Sequence, residues 1–376
     1  MSTLAKLWKF VANMSLNFEI TSCVRASSKL SSCTQCVDIC PVDTIGLVDN
    51  IPSFSPSACV ECGACVGACP SSAFSLSQYR GVDFFFEFLE QETPIISCKQ
   101  NVPCLAWFGV EELMALALSK EIVLELGYCK SCEIGKRLYT HIVATIEEAN
   151  FVLSSFCDKT LKVSFETSDR ETQERRNFLS NITLQKALKA KEEFEARIEE
   201  EELKSFAIDS THVAKLKTKT IPLKRQLLLT LLKRVEKPAQ YEILPQKEIS
   251  FISQKYIDER CTNCQICYRI CPTGALSSNA KFSLIHFDTL ACIKCHLCHD
   301  VCEPNAIELQ IGFENQEFFE PRKRTLIAFD IRRCNECGNS FTYRGGETIC
   351  PRCQIEEEES LMLHHNAVHP KHHPLP

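Results

Sequence analysis

No run of residues in this 376-residue chain approaches the ~20 consecutive apolar positions needed to cross a bilayer. The longest apolar stretches, Phe84 to Phe88 (broken by Glu87) and Leu227 to Leu232 (broken by Thr230), stop far short of that. Positive charge is not in excess either. Lys and Arg number 42 against 48 Asp and Glu, a net charge of −6. Binding a phosphate backbone needs concentrated cations, so nucleic acid is not expected as a partner. The acidic balance suits a cytoplasmic protein, with room for a peripheral place on a membrane complex. The N-terminal residues MSTLAKLWKFVANMSLNFEI are basic and amphipathic, without the apolar core or Arg pair of an export signal. Also missing are a G-x-G-x-x-G fingerprint, a P-loop and the residue patterns of serine or metal hydrolases. The chain is therefore not expected to convert a small substrate by itself.

Cysteine is the opposite case. There are 25, and all but Cys157 fall into sets of four. Cys261, Cys264, Cys267 and Cys271 spell C-x2-C-x2-C-x3-C, followed by Pro272. Cys59, Cys62, Cys65 and Cys69 repeat it before Pro70, and Cys292, Cys295, Cys298 and Cys302 repeat it before Glu303-Pro304. A fourth copy is incomplete: Cys33, Cys36 and Cys40 precede Pro41, but Leu30 stands where a first cysteine would be. Such tight spacings suit metal ligation. Disulfides belong to small secreted domains, not to a chain of this kind. Thiolates at this spacing wrap a cubane iron–sulfur cluster, the fourth cysteine reaching the neighbouring cluster.

The blocks around residues 20–80 and 251–315 are an internal repeat and resemble bacterial-type 2[4Fe-4S] dicluster ferredoxins, a polyferredoxin-like arrangement. The resemblance implies two small pseudo-symmetric (βαβ)2-type domains. In the second block it implies Cys261, Cys264, Cys267 with Cys302 for one cluster, and Cys292, Cys295, Cys298 with Cys271 for the other. In the first block it implies Cys59, Cys62, Cys65 with Cys40, and Cys33, Cys36, Cys69 with Cys23 if residues 24–32 loop back. With Cys23 bound the chain holds four [4Fe-4S] clusters. Without it, the first site holds a three-iron cluster or none.

Residues 81–160 carry a further set, Cys98, Cys104, Cys129 and Cys132. Strands at Pro94–Ser97 and Ile122–Leu126, with a helix over Glu111–Lys120 between them, predict a small βαβα segment. Its parallel strands bring both cysteine pairs to one carboxyl edge. The stretches ISCKQNVPC and GYCKSCEIG resemble a hydrogenase iron–sulfur delta subunit, which implies a [2Fe-2S] cluster; zinc has the same ligand needs. Residues 334–353 hold Cys334, Cys337, Cys350 and Cys353 as two C-x2-C knuckles. This module, 325–356, resembles a zinc ribbon and more distantly rubredoxin. The resemblance implies a structural Zn²⁺, or one iron.

Between these blocks lies a cysteine-free helical spacer, 161–250. It has Phe178/Ile182, Leu184/Leu188 and Phe194/Ile198 at i,i+4 and a second helix from Pro222 with Leu223, Leu227, Leu231 and Val235 along one side. Residues 1–19 form an amphipathic lead-in and 357–376 a His-rich flexible tail. The expectation is a multi-module α+β chain acting as an iron–sulfur electron-transfer component. Redox enzymes of the hydrogenase or formate dehydrogenase type would be its partners. A maturation or scaffold protein for a metalloenzyme is the alternative.

Overall fold

The computed structural model describes residues 16–77, 79–167 and 219–368. The first fifteen residues, the pairs between Phe178 and Ile198, and the histidines beyond residue 368 lie outside the described residues.

The first cysteine block runs β1 (Leu16–Phe18), α1 (Val24–Ser27), α2 (Gln35–Asp38), β2 (Ile45–Val48), β3 (Ile51–Phe54), α3 (Ala64–Ala68) and β4 (Phe74–Leu76). β1 pairs antiparallel with β4, Leu16 opposite Leu76 and Phe18 opposite Phe74. β2 and β3 form a hairpin whose turn residues Asp49 and Asn50 both have left-handed φ, matching strand twist as tight hairpins require. The block thus begins by Leu16, inside the segment expected as an amphipathic lead-in.

A parallel sheet follows. Helix α4 (Gly81–Leu89) leads to β5 (Ile95–Ile96), α5 (Val110–Ser119), β6 (Val123–Glu125), α6 (Gly135–Ser154) and β7 (Lys162–Ser164). The strand order is β5-β6-β7, all parallel. Ile96, Ile122 and Leu124 are fully buried, which explains why these strands read as unbroken apolar runs and not as alternation. β7 carries the sheet past residue 160. Its sequence, Lys162-Val163-Ser164, has no such run, because it is an edge strand with Val163 exposed.

Helix α7 (Leu223–Leu232) corrects the picture of a spacer. It packs on α5 and buries Leu227, Leu228 and Leu232, while Leu223 is 40% exposed. The buried face is rotated from the expected line of leucines because Lys224 and Arg225 also point inward. Strand β8 (Ile243–Pro245) leads into the second block. That block comprises β9 (Lys255–Ile257), α8 (Ile266–Ile270), β10 (Leu276–Ser278), β11 (Leu284–Asp288), α9 (Leu297–Asp300) and β12 (Ile307–Leu309). β9 pairs with β12 as β1 pairs with β4, and β10–β11 is the hairpin. β13 (Gly312–Glu314) returns to β8, and β14 (Lys323–Ala328) extends the hairpin into three strands beyond residue 315.

Strands β15 (Ile331–Arg333) and β16 (Ser340–Thr342) close the chain with helix α10 (Pro351–Val368). The β15–β16 hairpin turns through the Cys334–Cys337 knuckle. Gly345 and Gly346, both with positive φ, turn the chain after β16. Helix α10 crosses the boundary set at residue 356. Pro351 suits a first helical turn, the run Glu356–Glu359 favours helix, and the prolines that oppose it come only later.

Candidate metal centres

The complete cysteine motifs are delivered by the same local devices, and Cys23 shares the first of them. The N–H of Cys23, Cys59, Cys261 and Cys292 bonds the carbonyl of Ile20, Pro56, Asp258 and Thr289 at 3.1, 3.3, 3.2 and 3.1 Å, so each thiol emerges from a tight turn. In three motifs the central cysteine is flanked by left-handed residues: Glu61 and Gly63 around Cys62, Asn263 and Gln265 around Cys264, Lys294 and His296 around Cys295. Successive reversals of this kind curl the chain so that its N–H groups face an anion. Thr34, after Cys33, has φ −125° instead. The motif that lacks a cysteine at residue 30 also lacks this curl at Thr34, and Cys23 arrives from a separate turn.

After the fourth cysteine all motifs converge again. Asp43, Ser72, Gly274 and Asn305 are left-handed, and their N–H groups bond the carbonyls of Cys40, Cys69, Cys271 and Cys302 at 3.4, 3.4, 3.4 and 2.8 Å. Asp, Ser, Gly and Asn are the residues such turns select. The next N–H then points at sulfur, Ala73 to Cys69 Sγ at 3.2 Å and Ala306 to Cys302 Sγ at 3.3 Å. Donors aimed at Sγ favour thiolate over thiol.

Thiols from different motifs act on one another. Burial pushes Cys36 up to about 12, with the charges of Cys69, Cys33 and Cys23 adding to it. Cys62 rises to about 11, by burial first and then by Cys59 and Cys40. Cys40, Cys59, Cys62 and Cys65 line one small cavity with Leu16. Burial takes Cys267 to about 12, where Cys298, Cys261 and Cys264 also act on it; Cys261 in turn feels Cys302. Cys271, Cys292, Cys295 and Cys298 line a second cavity with Lys255. Thiols this unwilling to ionise alone, lining common cavities, fit a cationic metal group that takes them as thiolates.

In the parallel sheet, Cys98 follows β5 and Cys129 follows β6 at the same edge. Burial pushes Cys129 up to about 11, with Cys98 and Cys132 adding, and Cys104 up to about 12, with Cys62, Cys98 and Cys129 among its neighbours. Cys104 begins the turn Leu105–Trp107, which rests on helix α3 of the first block. Gly67 permits that contact: a Cβ there would stand 2.7 Å from Ala106 O and 2.8 Å from Trp107 O. Cys157, the odd cysteine, is half-buried after α6.

The knuckle is tighter than the other sets. Among the described residues, Cys334, Cys337, Cys350 and Cys353 are the one group of possible ligands whose donor atoms lie within 4.8 Å of one another, and a metal ion could be held there. Cys337 Sγ and Cys350 Sγ are 3.7 Å apart. A tetrahedral ion with metal–sulfur bonds of ~2.3 Å needs an edge of about 3.8 Å. Cys334 is pulled down to about 6, first by the Cys337 N–H and also by that of Cys350, 3.1 Å from its sulfur.

The blocks meet directly. Val24 of α1 packs with Leu297 and Val301, and Cys33 and Cys295 lie against this same apolar cluster. Ser32 donates from N and Oγ to the Asp300 carboxylate, both at 2.8 Å. Cys33 and Cys295 also share a cavity of about 380 Å³ with Lys224, His141 and Glu148. Behind it, Arg225 forms an ion pair with Glu111 at 2.5 Å and donates to the carbonyls of Leu290, Phe251 and Cys292. Lys224 donates to the Cys69 carbonyl at 2.7 Å. Neither residue was marked by sequence reasoning, since an adjacent Lys-Arg pair on a helix reads as solvated surface. Ser253, bonded to Cys292 Sγ at 3.3 Å, was equally hidden.

The family model of the 4Fe-4S binding domain matches residues 52–75 and 255–277, one stretch in each block. An uncharacterised ferredoxin of Methanocaldococcus jannaschii is 50% identical over 38 residues, 10% of this chain and 25% of that protein. A ferredoxin of the 7Fe type from Hydrogenibacillus schlegelii is 45% identical over 38 residues, 10% of this chain and 49% of that one. A Rickettsia felis ferredoxin is 42% identical over 40 residues, 11% and 37% of the two chains. The chain spans a quarter to about half of the length of these relatives. It carries ferredoxin-type iron–sulfur domains for [4Fe-4S] clusters within a mixed α+β architecture. No helix among the described residues is long and apolar enough to cross a membrane.

Proposed function

We propose that this chain is an iron–sulfur electron relay whose centres follow one another in a line. The ligand sets are Cys98, Cys104, Cys129, Cys132; then Cys40, Cys59, Cys62, Cys65; then Cys23, Cys33, Cys36, Cys69; then Cys271, Cys292, Cys295, Cys298; then Cys261, Cys264, Cys267, Cys302. The middle four hold [4Fe-4S] clusters and the first a [2Fe-2S] cluster. The knuckle, Cys334, Cys337, Cys350 and Cys353, holds zinc beyond the last, where Arg344 bonds the Cys261 carbonyl.

Contiguity carries this reading. Cys104 feels the charge of Cys62, Cys65 that of Cys36, and Cys267 that of Cys298, while Cys33 and Cys295 share one apolar cluster. Each link joins one set to the next. The exposed cysteines are Cys132, Cys264 and Cys337, all at the two ends of the line. Interior sets are shielded, as a relay that avoids side reactions requires. Clusters bound here supply one-electron exchange. The protein's own groups hold them: thiolates ligate, and N–H donors such as those of Ala73 and Ala306 stabilise negative charge on sulfur. Apolar walls such as Leu16 and Val24 exclude water. A low-potential oxidoreductase of the hydrogenase or formate dehydrogenase type is the proposed partner, in the cytoplasm or at the periphery of a membrane complex.

Anaerobic purification with iron, sulfide and EPR analysis tests the proposal. The expectation is brown protein with about 18 iron atoms, bleached reversibly by dithionite and re-oxidised by a partner enzyme. Colourless protein without acid-labile sulfide after reconstitution would overturn it. Irreversible transfer of clusters to an apo-protein would favour the scaffold reading instead.

A further inference from the structure

The internal repeat supplies its own control. Glu19 N–H bonds Ala73 O at 2.8 Å, and Asp258 N–H bonds Ala306 O at 3.0 Å. With β1 on β4 and β9 on β12, this aligns Phe18 with Ile257 and Leu16 with Lys255. Both inner side chains are buried, Leu16 at 8% exposure and Lys255 at 2%. Leu16 lines the cavity of Cys40, Cys59, Cys62 and Cys65; Lys255 lines that of Cys271, Cys292, Cys295 and Cys298. Equivalent sites in the two blocks therefore differ at this register position by one buried positive charge.

That charge has no carboxylate partner among the described residues. Lys255 Nζ meets His299 Nε2 at 2.8 Å, an imidazole nitrogen. Asp300, on the same helix as His299, is engaged by Ser32. A buried ammonium needs a counter-charge. The groups left to supply it are the thiolates of the site it lines.

Resting on the cluster reading above, we propose that Lys255 is the counter-cation of the centre held by Cys271, Cys292, Cys295 and Cys298. It makes that centre easier to reduce than its twin at Cys40, Cys59, Cys62 and Cys65. Reduction adds one electron, so a fixed cation stabilises the reduced form more than the oxidised one. The relay then has a direction, from the first block towards the second. In each transfer the first-block centre is oxidised by one electron and the second-block centre reduced by one. No bond forms or breaks. The electron enters from an external low-potential reductant.

Potentiometric titration of the full-length, cluster-loaded protein, poised with dithionite and followed by EPR, tests this. Lys255→Leu installs the residue the twin already has. One [4Fe-4S] wave, the one altered in Cys295→Ser, should move down. At its wild-type midpoint the reduced-to-oxidised ratio should fall at least about threefold, roughly 30 mV at ~59 mV per tenfold. Lys255→Arg should leave that wave in place, and Leu16→Lys should raise the wave of the first-block site. Should Lys255→Leu lose iron, Lys255→Gln carries the same expectation. A variant with full iron and sulfide whose waves all stay put would overturn this inference alone. Absence of iron and sulfide from the wild-type protein would overturn the cluster reading beneath it.

Discussion

Cys23 is separated from its partners by α1 and a turn, yet its backbone repeats the turn that precedes Cys59, Cys261 and Cys292. Arg25 pins the insertion, donating to Cys33 O at 2.7 Å and Asn50 O at 3.0 Å. Cys23→Ala is expected to remove about four iron atoms, or about one if a three-iron cluster persists, and to change the EPR spectrum. Unchanged iron and spectra would take Cys23 out of the ligand set. A second residue-scale prediction concerns Arg225 and Glu111, whose side chains are 1% and 4% exposed. Removing one partner strands a buried charge, so Arg225→Met should lower unfolding stability by about 3–5 kcal/mol. Replacing both, Arg225→Met with Glu111→Leu, should recover much of it in a denaturant titration. Equal destabilisation by the single and double variants would exclude the ion pair as the cause.

Among the elements, α3 and the Leu105–Trp107 turn decide whether the parallel sheet serves the relay. They touch through Gly67, and that contact brings Cys104 towards Cys62. Gly67→Ala forces the turn away or strains it, at a cost of about 1–3 kcal/mol. Magnetic coupling between the sheet centre and the first block should weaken as the turn withdraws. Coupling and melting temperature identical to wild type would show that the contact is dispensable. Sequence patterns predicted α5, α6 and strands β5 and β6 of this sheet, because apolar runs mark strands covered on two faces. Edge strand β7 carried no such pattern. Helix α7 was legible as a helix, but its buried face was not, because its inward Lys and Arg find partners on three other segments.

At the scale of the molecule, the proposed metal groups and the fold should depend on each other. In the stripped protein, burial holds Cys36, Cys267 and Cys298 up to about 12 and Cys62 to about 11. Unfolded thiols ionise near ~8.5. A folded pKa above the unfolded one stabilises the fold below the unfolded value, and that contribution is lost as pH rises towards the folded one. Chelator-stripped protein should therefore lose thermal stability between about pH 8.5 and 12, whereas loaded protein, its thiols already ionised on metal, should not. Circular dichroism melts across that range provide the check, and equal alkaline loss in both forms would contradict it.

What the chain alone determined is the chemistry. Thiolate spacings of two and three residues are local, so the motifs, their repeat and the knuckle pair could be read without any fold. Tertiary structure decided which motifs lie side by side and what surrounds them. Val24 meets Leu297, Lys224 reaches Cys69 and Arg225 reaches Cys292 only because distant segments pack together. A charge that is ordinary on a surface acquires its role only when burial removes the water that would screen it.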